Sequence, residues 1–245
     1  MRPRLLTAVA AAAAVGAAAT AALAAGPMFH DAHAQTYDPA HTFLVQSGWV
    51  SGIACPTNAG TSSDGANKPD GTYTDPACPT GDPKDKKNEG LLLAKTGPTA
   101  NVAAGVADLK DVKGITLTEL GYDLRKPGAN VNDPRGSHCG AGAPRFNITT
   151  TAGSYFLGCD SPPPTVDTAG TGWQRLRWGG AAPAPLLAFD ATTGALANVT
   201  GTVQSIQIVF DEGQDTGPDN FGLAVLDNID VNGVLVGQGN GPSNG

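Results

Sequence analysis

Three groups of residues in this chain carry side chains able to do chemistry: a crowd of acids near the C-terminus, a strand of alternating Trp and Arg, and four cysteines. The segment from Phe210 to Phe221 places Asp211, Asp215 and Asp219 in a turn rich in Gly and Pro, and Asp227 and Asn228 follow on the next apolar run. Calcium takes about six to eight oxygens in flexible geometry, which carboxylates crowded on a turn supply. The spacing departs from an EF-hand loop, so the calcium ligands it suggests are Asp211, Asp215, Asp219 and Asp227. The competing reading is an acidic hairpin whose Asp and Asn side chains cap its turns. In Trp173-Gln-Arg-Leu-Arg-Trp178, period two puts Trp173, Arg175 and Arg177 on one strand face and Leu176 and Trp178 on the other. An exposed Trp flanked by Arg makes a sugar platform, with an apolar surface for the ring's C–H face and donors for its hydroxyls. The alternative puts Trp173 over the core edge with solvated arginines.

Catalytic constellations are sparse. Glu89, Glu119 and Glu212 are the glutamates of the chain, whereas glycosidases need a close pair of carboxylates. No Gly-x-Ser-x-Gly elbow occurs, and His41 and His138 are too few for a His-rich metal site. Thr118-Glu-Leu, Gln207-Ile-Val and Tyr155-Phe-Leu-Gly echo motifs of sandwich-fold alginate lyases. Their order along the chain is wrong and the basic partners are absent, so that match fails. A net charge of −7 repels polyphosphate and excludes nucleic acid as a partner.

The N-terminus sets the compartment in which these groups would work. Met1-Arg-Pro-Arg4 leads into an uncharged, mostly Ala run from Leu5 to Gly26, and Ala32-His-Ala34 follows. A basic start, an apolar stretch and a small-x-small site read as a secretory signal peptide over residues 1–34, cleaved after Ala34, with Ala24 or Ala25 as the fallback. The run is weakly apolar for a membrane anchor, and no second apolar span follows, so no membrane span is expected in the mature chain. The protein is therefore expected to be secreted into oxidising surroundings. Cys55, Cys78, Cys139 and Cys159 allow three pairings, of which sequence proximity favours Cys55–Cys78 and Cys139–Cys159. Zinc is the poorer reading, because no C-x-x-C pair is present.

The elements that must position these residues read as strands. Phe146 and Ile148 alternate with polar neighbours, as do Ile206, Ile208 and Phe210. Asn232-Gly233 between two apolar runs predicts a two-residue hairpin. In Ile115–Leu124 the apolar parity switches, which predicts a β-bulge near Glu119–Gly121. Thr99–Val112 is the one stretch with helical potential, although Gly105 and its valines oppose it. Residues 56–89 are polar and turn-rich, and read as a long loop tethered by the first cysteine pair. Eight or nine short strands predict an all-β, two-sheet antiparallel sandwich or jelly roll, with residues 35–245 as one domain. Asn147-Ile-Thr149 and Asn198-Val-Thr200 are glycosylation sequons, silent in the bacterial source that the Ala/Gly/Pro bias suggests; Asn147 should face outward.

A strand ending in Phe210-Asp211, a Gly/Asp loop and then Gly222-Leu-Ala-Val-Leu-Asp-Asn-Ile-Asp-Val-Asn-Gly233 resembles the closing strands of secreted bacterial jelly-roll modules of the carbohydrate-binding type. The resemblance covers residues 205–236 and implies the fold, with Asp227 and Asn228 holding backbone or a structural calcium. These readings converge on a non-catalytic secreted protein that binds an extracellular glycan or a cell-envelope polymer. The alternatives are an adhesive protein with a protein partner, and a polysaccharide hydrolase or lyase with an Asp-based site.

Overall fold

The computed structural model describes residues 28–55, 82, 84, 85, 87–96, 102–126, 139, 143–168, 173–180, 186–211 and 221–239. Among these residues the chain forms fourteen strands: β1 (Asp31–Tyr37), β2 (Val45–Ser51), β3 (Glu89–Thr96), β4 (Ala104–Lys110), β5 (Glu119–Arg125), β6 (Arg145–Thr150), β7 (Ser154–Gly158), β8 (Thr165–Thr168), β9 (Gln174–Gly179), β10 (Leu187–Asp190), β11 (Leu196–Asn198), β12 (Val203–Phe210), β13 (Phe221–Val231) and β14 (Val234–Val236). They make two antiparallel sheets. The first runs β1-β4-β12-β6-β7-β10-β11 and the second β2-β3-β13-β5-β9-β8, with β14 added to β13. The expected all-β sandwich is the architecture found.

Period-two alternation builds the layer between the sheets. From the first sheet, Phe146, Ile148, Ile206, Ile208 and Phe210 point inward; from the second, Leu91, Leu93, Leu120, Leu124, Leu176 and Leu226 meet them. Tyr122, Phe146 and Trp178 form an aromatic knot with centroids 5.3 to 6.1 Å apart. Its polar atoms are satisfied: Tyr122 donates its hydroxyl to Pro144 O and Trp178 its indole N–H to Pro162 O, both at 2.8 Å.

Several expectations shift in detail. Asn232 and Gly233 make the predicted hairpin, with φ of 53° and 82° between paired Val231 and Val234. Residues 104–110, inside the segment with helical potential, form strand β4, whose Ala107 and Leu109 point into the core. The parity switch expected as a bulge in β5 is instead the place where that strand begins. Leu117 is buried ahead of it, and the Asn232 side chain accepts from the N–H groups of Thr118 and Glu119 at 2.8 and 3.1 Å. The bulge lies on the partner strand: between Asp227 and Asp230, β13 spends one residue more than β5 does between Asp123 and Gly121. Strand β1 begins at Asp31, so the boundary expected after Ala34 falls inside a paired strand.

Cys139 and Cys159 form a disulfide with Cα atoms 5.2 Å apart. Closing a loop of that length stabilises by about 3 kcal/mol. Cys55 is also disulfide-bonded; Cys78 lies outside the described residues.

Candidate functional site

The core occupies one side of each sheet, so a site must use an outer face, and the two outer faces differ. The Trp–Arg strand is β9, in the second sheet. Its parity is as expected, with Leu176 and Trp178 inward. However, Trp173 is only 2% exposed and packs with Cys55 and Val225 under partly buried Ile53, Leu92 and Leu223. The expected sugar platform is therefore not present on this face, because the segment around residues 53–55 covers it.

Arg175 and Arg177 are largely buried on the same face. Asp123, fully buried on β5, accepts from Arg175 Nε at 2.7 Å and Nη2 at 2.8 Å, and from Asn228 Nδ2 at 2.9 Å. Arg177 Nε lies 2.9 Å from Asp230 Oδ2, and its Nη2 3.6 Å from Asp123. Arg177 crosses Gly121: a Cβ there would stand 2.7 Å from its Nη1 and 2.6 Å from Leu176 O, so the strand needs glycine for close approach. These arginines serve an internal ion network and are not presented to a ligand.

The expected calcium ligands do not converge either. Asp211 directly follows β12 of the first sheet, and its carboxylate accepts both Arg145 Nη donors at 2.7 Å. Asp227 stands on β13 in the second sheet, where it accepts Asn228 N at 2.6 Å and Cys55 N at 3.1 Å. The order of the sheets separates the two, and Asp215 and Asp219 lie outside the described residues. Among the described residues, no group of three or more His, Cys, Asp or Glu is arranged to hold a metal ion.

The outer face of the first sheet is built differently. A trough of about 360 Å³ runs over β1, β4, β12 and β6. Its floor is Ala104, Val106 and Val209, a small apolar cluster on the side away from the core. Gln35, Tyr37, Asn147, Gln207, Arg145 and Asp211 line it, and Tyr37 is 54% exposed. Register brings these residues together. Gln35, Val106, Val209 and Arg145 are cross-strand partners in one row, and His33, Asp108, Gln207, Asn147 and Phe156 in the next.

The polar groups are fixed by one another. Asp108 accepts from Gln35 Nε2 at 2.9 Å, Gln207 Nε2 at 2.7 Å and Lys110 Nζ at 3.2 Å. Arg145 donates through Nε to Asn147 Oδ1 at 3.2 Å, which leaves the Nδ2 of Asn147 as a donor. Burial opposes the charge on Asp211, but the Arg145 guanidinium outweighs it and holds the carboxyl below its usual range. The trough thus offers amide donors and acceptors in set directions beside one aromatic ring, with its Arg and Asp charges paired off. Chemically, that suits a hydroxyl-rich, uncharged ligand.

No family model matches the chain, and no curated protein matches it. Two solved structures are similar to it, both family 11 carbohydrate-binding modules from Clostridium thermocellum, the type of module that the closing strands resemble. One, in complex with a β-1,3-1,4-mixed-linked tetrasaccharide, is 12% identical, with a TM-score of 0.37 over 84% of this chain and 90% of that one. The other, from the cellulosomal cellulase Lic26A-Cel5E, is 12% identical, with a TM-score of 0.36 over 86% of this chain and 90% of that one. At these scores the likeness carries no argument about what this chain binds; the sandwich rests on its own strand pairing.

The trough was missed in the sequence although part of its signal is there. Arg145 and Asn147, and Gln207 and Asp211, are the polar positions of strands whose other parity is apolar. Nothing local says that β12 pairs with both β4 and β6. Gln35 and Tyr37 directly follow the small-x-small site of the expected signal peptide, in a stretch without apolar alternation. Asn147 faces outward as expected, partly buried in the trough.

The covered face carries the pH dependence. Burial pushes the Asp85 carboxyl up to about 6 from 3.8, although Lys87 N and Glu89 N donate to it at 3.0 and 3.1 Å. Burial raises Asp227 well above its ordinary value, and the charges of Asp123 and Asp85 add to the effect. Burial also raises Asp230 and Glu119. Such carboxyls hold a proton in the fold that the unfolded chain releases. Their contribution is therefore fully present below the unfolded value and lost as pH rises through the folded one. The lowered Asp38, Asp190 and Asp211 act in the opposite sense, but below about pH 4. We expect Tm to be a few degrees higher at about pH 5 than at about pH 7.5. A Tm that climbs over that interval would mean these carboxylates are charged in the fold at no cost.

Proposed function

We propose that this chain is an exported, non-catalytic protein that binds an uncharged polysaccharide of the cell envelope or surroundings across the outer face of its first sheet. The observation that carries this reading is the charge-balanced trough over β1, β4, β12 and β6, with Tyr37 exposed at its β1 edge and the fixed amides of Gln35, Gln207 and Asn147 placed across it. A sugar ring needs a flat apolar surface on one side and oriented donors and acceptors around its hydroxyls. Tyr37 supplies the first and the amides the second. A polyuronate would bring carboxylates to a site whose one guanidinium is already bound to Asp211, on a chain of net charge −7.

The test is retention of the exported protein on a panel of insoluble neutral glucans, mannans and xylans beside pectate and alginate, with and without calcium. Retention on one or more neutral polymers, none on polyuronates, and no change with calcium is expected. Absence from the whole panel would overturn the reading. A second reading, contact with a protein partner, draws on Phe156, Leu187 and Leu196, which are about half exposed on the outer side of β7, β10 and β11, beside the trough. It predicts that polar replacements there abolish function while glycan retention is absent from the start.

A further inference from the structure

We infer that the leader of this chain is cut between Ala24 and Ala25, and that the exported protein keeps Met28–Ala34 in its fold. Four of the seven residues of β1 precede Gln35: Asp31, Ala32, His33 and Ala34 pair in register with Lys110, Leu109, Asp108 and Ala107 of β4. Ala32 is fully buried and Phe29 is 3% exposed, and both belong to the main core cluster. Ala32 O accepts the indole N–H of Trp49 at 2.8 Å, which ties the edge of the first sheet to β2 of the second. A cut after Ala34 would remove Phe29 and Ala32 from the core and leave three residues of an edge strand. It would also place a new α-ammonium group on Gln35, one of the residues that line the trough.

The sequence offers a second small-x-small site, Ala22-Leu-Ala24, where the uncharged run ends. Ala32-His-Ala34 lies farther on, beyond Pro27, His30 and Asp31. A signal peptidase reads a small residue at each of two positions just past the apolar segment, and the nearer site meets that requirement. In the cut, water adds across the Ala24–Ala25 amide. The leader departs with a carboxylate on Ala24, and the exported chain begins with an α-ammonium on Ala25.

The inference rests on the export reading, and one experiment separates the two. The full chain is expressed in a secreting bacterial host, and the exported product is examined by intact mass and N-terminal sequencing. A processed N-terminus no later than Met28, expected at Ala25, supports the inference. Any N-terminus after Met28, Gln35 included, overturns it. A product that keeps Met1 overturns the export reading and the cut together, and its mass identifies that case. Ala24→Leu should reduce the processed fraction about tenfold, while Ala34→Leu should be processed like the parent. Processing that fails in Ala34→Leu and persists in Ala24→Leu would overturn the assignment even if the first product were heterogeneous.

Discussion

Asp123→Ala is expected to destabilise the fold by about 3–5 kcal/mol, because it takes the buried carboxylate from two largely buried guanidinium groups. Asp123 has no exposed surface, and it takes two donors from Arg175, one from Asn228 and the nearby charge of Arg177. Removing it leaves Arg175 beside Arg177 without the carboxylate that separates their charges. For a chain of this size the loss corresponds to a fall in Tm of about 10 °C. Asp123→Asn keeps the volume and two polar atoms and should lose roughly half as much. Urea unfolding of the three proteins measures this directly. A change under about 1 kcal/mol for the alanine variant would show that the arginines reach water in solution and that the network is a surface one.

The largest effect on binding is expected from the Tyr37→Ala, Asn147→Ala double variant, which should hold the retained polysaccharide about a hundredfold more weakly than the parent. Each side chain contributes about tenfold, roughly 1.4 kcal/mol, Tyr37 through its ring and Asn147 through its amide. They stand three strand spacings apart, at least about 14 Å, so their losses should add. Both face away from the core, so Tm should stay within about 2 °C of the parent. Affinity electrophoresis in the retained glycan gives the ratio. Unchanged retention with unchanged Tm would place the ligand elsewhere on the molecule.

Inward and outward parity was legible in the residues, and what covers an outward face was not. Period two puts Leu176 and Trp178 inward and Arg175 and Arg177 outward, which is how β9 sits. It says nothing of the layer above. Outward normally means solvent, but Ala54, Cys55, Asp82, Asp85 and Asn88 are buried against that face, and they come from the polar segment 56–89 and the short turn just before it, neither of which has a periodicity to read. The trough failed in another way. Its residues are ordinary outward polar positions on four strands, made into a site by pairings between β1 and β4, β4 and β12, and β12 and β6. All three pairings join strands far apart in sequence, for which alternation carries no information. Strand β1 was hidden by its own composition, since small residues next to an apolar run suit a peptidase and an edge strand equally. The segment around β4 misled for a related reason: Ala-rich spacing tolerates either period until burial decides.

The extra residue in β13 determines how the covering layer behaves over time. Ala224 and Leu226 before it, and Ile229 and Val231 after it, all face the core, so a strand without Asn228 would alternate perfectly. What the added position contributes is a second outward side chain beside Asp227. Asn228 Oδ1 accepts Asp82 N at 2.8 Å, its Nδ2 donates to Asp123, and Asp227 accepts Cys55 N. Cys55 and Asp82 are thus pinned through side chains to one point on a central strand. Local opening there needs these pins, the bond from Gly237 N to Asp82 and the packing of Cys55 on Trp173 to release, while the ladders on either side stay closed. The amide hydrogens of Cys55 and Asp82 should therefore exchange together, and well ahead of those in β5 and β13. The covered face would then be exposed by transient detachment at an irregular point in an otherwise regular sheet, without unfolding of the sandwich.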